Sequence, residues 1–183
     1  MSHPTPALSG ARSAAWRARD WQFMAWMGAG RADRPWRLRL AIGLAHWSWV
    51  PLVLCLALCV AQRTGAAVPV ATAMGLATLV QVLAKRSARW LSAPRPFALG
   101  LCPNHLNHGE RGGMPSTHAA VMGCLAGALW PWMAAWPELA LVPAIAALTG
   151  WARVHAGAHF PSDVLVGLVL GGALGRQAVA ALA

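Results

Sequence analysis

Arg153, His159 and Asp163 stand together in one short stretch, RVHAGAHFPSD, between two apolar runs of a chain with few charges. Residues four apart share a helix face. Asp163 can therefore hydrogen-bond one imidazole nitrogen of His159 and aim the other, the logic of an oriented base or nucleophile. A second stretch, GGMPSTHAA, sets Pro115, Ser116 and Thr117 just before an apolar run. Ser or Thr there caps a helix start, whose free amides and dipole suit a phosphate. His118, on that opposing helix start, is in position to donate a proton to a leaving oxygen. Pro161-Ser162-Asp163 repeats the device, with Ser162 as the expected cap. A third stretch, KRSARWLSAPRPF, brings Arg95. The guanidinium groups of Arg95 and Arg153 offer forked donors that match phosphate oxygens. The simplest ligand is a phosphate monoester or diphosphate, carried on a lipid given the apolar surroundings.

The elements that must bring these residues together are apolar helices. The chain has 183 residues, 57% hydrophobic and only 11% charged, against roughly 25% charged for an ordinary soluble domain. A spanning helix needs about 20 apolar residues. The runs 40–62, 64–84, 112–137, 139–152 and 164–183 give five expected spans, the fourth relying on its flanks and the fifth carrying Arg176 near its end. Counting crossings, the three polar stretches emerge on one face whichever way the protein is inserted. Three arginine- or histidine-bearing turns sharing a face point to one composite site.

The first 38 residues form a basic tail. Arg12, Arg17 and Arg19 precede an uncharged run, 21–30, that is too short to span, which excludes a signal peptide. Trp16, Trp21, Phe23, Met24, Trp26 and Met27 interleave with the arginines as in a helix lying on a membrane surface. Net charge is +10. No basic patch falls on a soluble domain, so anionic lipid rather than nucleic acid is the expected partner. Trp36, Trp90, Trp136 and Trp151 fall at span edges, as in an aromatic belt; Trp47, Trp49, Trp130 and Trp132 are candidates for core packing. The four cysteines show neither metal nor disulfide spacing. Of the five acids, Asp20 and Asp33 lie in the tail and Glu138 on the far face, leaving no acidic pair for two metals. His105 and His108 alone are a weak metal signal; with Asn104, Asn107, Glu110 and Arg111 they are better read as shaping a headgroup pocket. His155 reads as structural, and His46 as a buried, satisfied histidine.

At these residues the sequence resembles the type 2 phosphatidic acid phosphatase family, whose superfamily includes vanadium-dependent haloperoxidases. Its three motifs are matched by Arg95-Pro96, by Pro115-Ser116-x-His118, and by Arg153-x5-His159-x3-Asp163. The resemblance implies that His159 attacks phosphorus and carries a transient phosphohistidine, with Asp163 orienting it. It implies that His118 protonates the leaving group and then helps activate water. Arg95, Arg153, Ser116 and nearby amides would hold the phosphoryl oxygens, without metal or other cofactor. Three positions depart from the pattern. The family lysine falls at Ala88, so Lys85, or else Arg89, would take its place; Thr117 replaces the family glycine; Ala152 replaces a serine.

The resulting expectation is an all-α, polytopic membrane bundle of about five spans, possibly six, with an N-terminal interfacial helix. Residues 1–38 form the tail and 39–183 the phosphatase domain. Its activity would be hydrolysis of a polyprenyl diphosphate, phosphatidic acid or phosphatidylglycerol phosphate. A non-catalytic lipid-phosphate binder or transporter, and a vanadate-dependent haloperoxidase, are the alternatives. Tail and motif face hold all basic residues except Arg63 and Arg176, so the positive-inside rule puts both on the cytoplasmic side of a bacterial inner membrane.

Overall fold

The structure, a computed structural model, describes residues 11–27, 29 and 35–182, with residues 11–16 described by backbone alone. Asp33 and the side chains of Arg12 and Trp16 lie outside the described residues. Seven α-helices follow in order: α1 Ala11–Trp26, α2 Pro35–Trp47, α3 Trp49–Gln62, α4 Ala67–Leu91, α5 Thr117–Leu129, α6 Leu141–His155 and α7 Pro161–Leu182. Among the described residues there is no strand, only an isolated bridge between Pro94 and Arg111. The all-α expectation holds.

Helix lengths follow local chemistry. α4 runs for 25 residues and stops where Ser92 turns left-handed (φ 49°). Pro94 and Pro96 then prevent its continuation, since each lacks an amide hydrogen. α7 begins with Pro161, whose fixed φ and missing donor suit the first helical position. These two helices are long and apolar enough to cross a membrane, and α2 and α3 meet that test only together, as a pair bent by 50°. α5 and α6 have 13 and 15 residues, prolonged by 3-10 turns at Trp130–Trp132 and Pro137–Ala140.

The bend corrects the expectation of a continuous first span. Pro51 lies in the first turn of α3, where it cannot donate to the carbonyl of Trp47 and its ring crowds that group. The chain breaks at Ser48. As a consequence Trp47 and Trp49 turn outward, 63% and 53% exposed, and Trp130 is also exposed, so none of the three packs in the core. His46 is likewise exposed rather than buried, with Nδ1 at 2.8 Å from the Ile42 carbonyl oxygen.

α5 is the central helix, packed between α4, α6 and α7. Its contact with α7 is backbone on backbone. Gly167, Gly171 and Gly175 recur every fourth residue on α7, and Gly123 and Gly127 do so on α5. A methyl group at Gly167 would sit 2.6 Å from the Ser116 carbonyl oxygen, and one at Gly171 would strike the Ala120 carbonyl. Small residues at this spacing let helices approach closely where lipid removes the hydrophobic drive to associate. The first turns of α5 and α7 are thereby drawn together. At the opposite end of the bundle, Arg63 donates to both carboxylate oxygens of Glu138, at 2.8 and 3.0 Å. Leu54, Leu58, Leu79, Leu165, Val169 and Leu170 are exposed along the outer faces, as lipid contact requires.

The packing gives a test. Gly171→Ala forces α5 and α7 apart, and overpacking of this kind costs about 1–3 kcal/mol. Gly172→Ala meets only the Gly123 carbonyl oxygen at 3.5 Å and is tolerated. Thermal unfolding in detergent should show a lowered Tm for Gly171→Ala alone; equal Tm values for the two variants would contradict the close approach.

Candidate active site

Two connections, α4–α5 and α6–α7, meet where the start of α5 abuts the start of α7. Arg95, just past the end of α4, ties them together. Its Nη1 donates to the Ala158 carbonyl oxygen at 2.9 Å and lies 3.0 Å from His159 Nε2, while Nη2 donates to the Gly112 carbonyl oxygen at 3.2 Å. His159 sits in the loop between α6 and α7 and is 2% exposed. Its Nδ1 is 2.7 Å from the Gly113 carbonyl oxygen. A carbonyl oxygen only accepts and a guanidinium only donates, so the neutral ring carries its hydrogen on Nδ1 and a lone pair on Nε2. Across the cleft, Arg153 Nη2 donates to His118 Nδ1 at 2.6 Å. The neutral His118 ring therefore carries its hydrogen on Nε2.

One cavity of about 770 Å³ contains both rings. Its polar end is lined by Lys85, Arg89, Arg95, Arg111 and Arg153 together with His108, His118 and His159. No carboxylate is among the residues lining it. Its other end runs between α3, α4 and α5 past Leu52, Met74, Ala77, Val121 and Leu125. Burial, joined for the histidines by the concentrated positive charge, shifts the groups around the cavity. Burial pushes the His159 imidazole well below its ordinary value, and the nearby Arg95 and Arg153 push it further, against an opposing hydrogen bond to Gly113. His108 falls to about 4, through burial first and then Arg153, Arg95 and His46. Burial also lowers Arg95, with Asp163 acting in the other direction. The side-chain nitrogens Arg95 Nε and Arg153 Nε and the hydroxyl of Ser116 are buried without a hydrogen-bond partner.

Of the residues singled out from sequence, Lys85, Arg89, Arg95, Thr117, His118, Arg153 and His159 all reach this cavity. Lys85 and Arg89 flank Ala88 on its wall, so cationic side chains stand on both sides of the departing position. Ser116 and Asp163 are brought to the same place but lie behind the wall, each fully buried. Three expectations change. The Ser116 hydroxyl caps nothing and is buried without a hydrogen-bond partner, while its amide donates to the Asp163 backbone carbonyl at 3.0 Å. Asp163 does not hydrogen-bond His159: Oδ2 is 4.0 Å from Nδ1 and instead accepts from the Phe160 amide at 3.0 Å. That is the backward reach of a capping box, and it takes the carboxylate away from the ring. Ser162 is not the cap of α7 but stands in its first turn, where its amide and hydroxyl both donate to Asp20.

Gly113 is the functional residue that sequence reasoning passed over as loop. Its carbonyl holds His159, and a methyl group there would lie 3.2 Å from the Pro94 carbonyl oxygen and 3.4 Å from Asp163 Oδ2. The signal was a glycine adjoining the Pro-Ser-x-His stretch, but no spacing rule says which carbonyl a distant imidazole will find. His108 and Arg111 do shape the polar end, whereas His105 is not among the residues lining it. His155 is buried and stacks on Trp151 at 5.0 Å, as a structural residue would.

The PAP2 superfamily model matches residues 66–182. Over 87 residues the chain is 34% identical to the Escherichia coli (strain K12) protein YbjG, which carries the name of an undecaprenyl-diphosphatase. That match covers 46% of this chain and 43% of the relative, so this chain spans less than half of it. Among solved structures, the PAP2 type phosphatidylglycerolphosphate phosphatase from Bacillus subtilis superposes with a TM-score of 0.67 at 21% identity, over 92% of this chain and 86% of that one. Aquifex aeolicus LpxE superposes with a TM-score of 0.64 at 24% identity, over 87% of this chain and 92% of that one. At these identities the structural likeness is one of fold.

The ring assignments are checkable. In a histidine NMR titration of the protein in detergent, His159 should stay neutral, with hydrogen on Nδ1, at pH 6.5, where an ordinary imidazole is half protonated. Protonation should appear only well below that pH. A His159 signal that titrates near pH 6.5, or carries its hydrogen on Nε2, would contradict the arrangement.

Proposed function

This chain belongs to the PAP2 superfamily, and from that premise we propose that it is an integral membrane lipid phosphatase working through His159 as nucleophile. The observation that carries the reading is the single cavity lined by both His118 and His159 and by five cationic side chains. The shape of that cavity supports a lipid substrate: phosphate chemistry at one end, an apolar channel between α3, α4 and α5 at the other. The candidates are a polyprenyl diphosphate, phosphatidic acid and phosphatidylglycerol phosphate.

The chemistry would run as follows. The phosphoryl group enters between the arginines and draws Arg95 from His159 Nε2, exposing the lone pair. Nε2 attacks phosphorus, the bond to the leaving oxygen breaks, and phosphohistidine forms. The Nδ1–H bond to Gly113 stabilises the positive ring that results. Arg153, turning to the phosphoryl oxygens, releases His118 Nδ1 to take up a proton, and the doubly protonated ring gives one to the leaving oxygen. Water, deprotonated by His118, then attacks phosphorus and frees His159 and phosphate. Preorganised guanidinium donors supply the electrostatic stabilisation of the transition state. The lining of Lys85, Arg89, Arg95, Arg111 and Arg153 repels a divalent cation, which supports a metal-independent route.

Phosphate release from a panel of lipid phosphates in detergent, without added metal, tests the reading. His159→Ala should abolish turnover, and Arg153→Ala, which removes one donor, should lower kcat by about 100- to 1000-fold. Quenching into alkaline detergent should trap alkali-stable, acid-labile phosphate on the wild-type protein only. Equal rates for wild type and His159→Ala would remove the nucleophile, and binding without turnover would favour a lipid-phosphate binder.

The site is proposed to face the cytoplasm, on the charge asymmetry between the two ends of the bundle. Because α1 packs at the same end as the cavity, a reporter at the N-terminus reads the side of the site directly. A cytoplasm-dependent reporter should give signal; signal only from a periplasmic one would reverse the orientation.

A further inference from the structure

The geometry points to α1 as part of the active-site framework, with Asp20 and Arg17 acting as positioning residues for His159 and Asp163; this rests on His159 being the nucleophile. The sequence places α1 in a basic tail far from the motifs, yet its side chains reach the first turn of α7. Ser162, in that turn, has an amide that an N-terminal Ser, Asp or Asn would ordinarily satisfy. The residue at the capping position is Phe160, which has no side-chain acceptor. Asp20 supplies the acceptor from 142 residues away: Oδ1 takes the Ser162 amide at 3.0 Å, and Oδ2 takes the Ser162 hydroxyl. Asp20 is itself buried.

Arg17, one turn earlier on α1, lies over the Phe160 ring at 4.8 Å, and its Nη1 is 3.8 Å from Asp163 Oδ1. Met24, one turn later, is fully buried and clusters with Phe160, Val164 and Val154. Three successive turns of α1 thus grip the segment that links His159 to Asp163. The consequence reaches both histidines. The Asp163 backbone carbonyl receives the Ser116 amide at the start of α5, and His118 follows two residues later. A carboxylate set against the start of α7 also interacts favourably with its dipole. Displacing this turn by a fraction of an ångström moves Nε2 off the line to phosphorus, and a misplacement of about 1 Å from a remote change costs on the order of 100-fold in rate.

The test compares full-length Asp20→Ala, Asp20→Asn and, as control, Arg19→Gln, which alters an exposed charge on the same helix. The readouts are kcat, KM and the amount of trapped phosphoenzyme per molecule. Asp20→Ala should lower kcat by about tenfold or more with KM within about twofold. Asp20→Asn keeps an acceptor for the Ser162 amide and should recover most of the rate; Arg19→Gln should match wild type. Unchanged kcat in Asp20→Ala overturns the inference. So does a loss that follows only the fraction of folded protein, with kcat and trapped phosphoenzyme per folded molecule unaltered, because that marks a purely structural helix. Failure of the underlying reading looks different: wild type would then turn over as fast as His159→Ala.

Discussion

The hydrogen bond from His159 Nδ1–H to the Gly113 carbonyl joins two loops 46 residues apart and decides which imidazole nitrogen is free. Without it the ring could take either tautomer, and Arg95 could not hold the other nitrogen as an acceptor. The bond also explains why a carboxylate four residues on does not act on the ring directly. Asp163 is committed to the Phe160 amide, and through its backbone carbonyl to Ser116, so it stabilises the turn that carries His159 rather than the imidazole itself. The buried groups here lose their hydration, which is costly unless each is paired. The dense exchange of donors among Arg95, Gly112, Gly113, Ala158 and His159 compensates for that loss.

Such an arrangement needs two helix starts held at near contact. The glycine ladders on α5 and α7 provide it by removing the side chains that would separate the backbones. Within lipid the water-driven force that packs soluble helices is missing, so van der Waals contact and hydrogen bonds between closely spaced backbones must serve instead. The end of α4, stopped by prolines, then delivers Arg95 between them. Positive charge accumulates on one wall because five cationic side chains point inward and no carboxylate joins them. Burial first, and then the same field, favour the neutral form of His159, and the field attracts an anion.

The bent pair α2–α3 opens the apolar side of the cavity. Pro51 costs the helix a hydrogen bond, and the resulting turn at Ser48 sets Ala45, Trp49 and Leu52 along the cavity next to α4 and α5. The cleft is thus cationic at one end and apolar at the other, which is the shape the proposed lipid phosphate would require.

The sequence by itself determined a large part of this. Uncharged runs set the helical membrane class, crossing parity put three polar turns on one face, and Arg95, His118, Arg153 and His159 were legible from residue type and spacing. Those inferences rest on local chemistry and chain connectivity, which one dimension carries. Pro51 and the four-residue glycine spacing were present in the sequence too, but their effects, a bend and a close approach, depend on the neighbouring helix. Tertiary structure alone decided that Gly113 rather than Asp163 holds His159, that Ser116 faces inward, and that Asp20 from the tail caps α7. Each is a contact between segments distant along the chain, where the partner is chosen by three-dimensional packing and by the cost of leaving a buried donor without an acceptor.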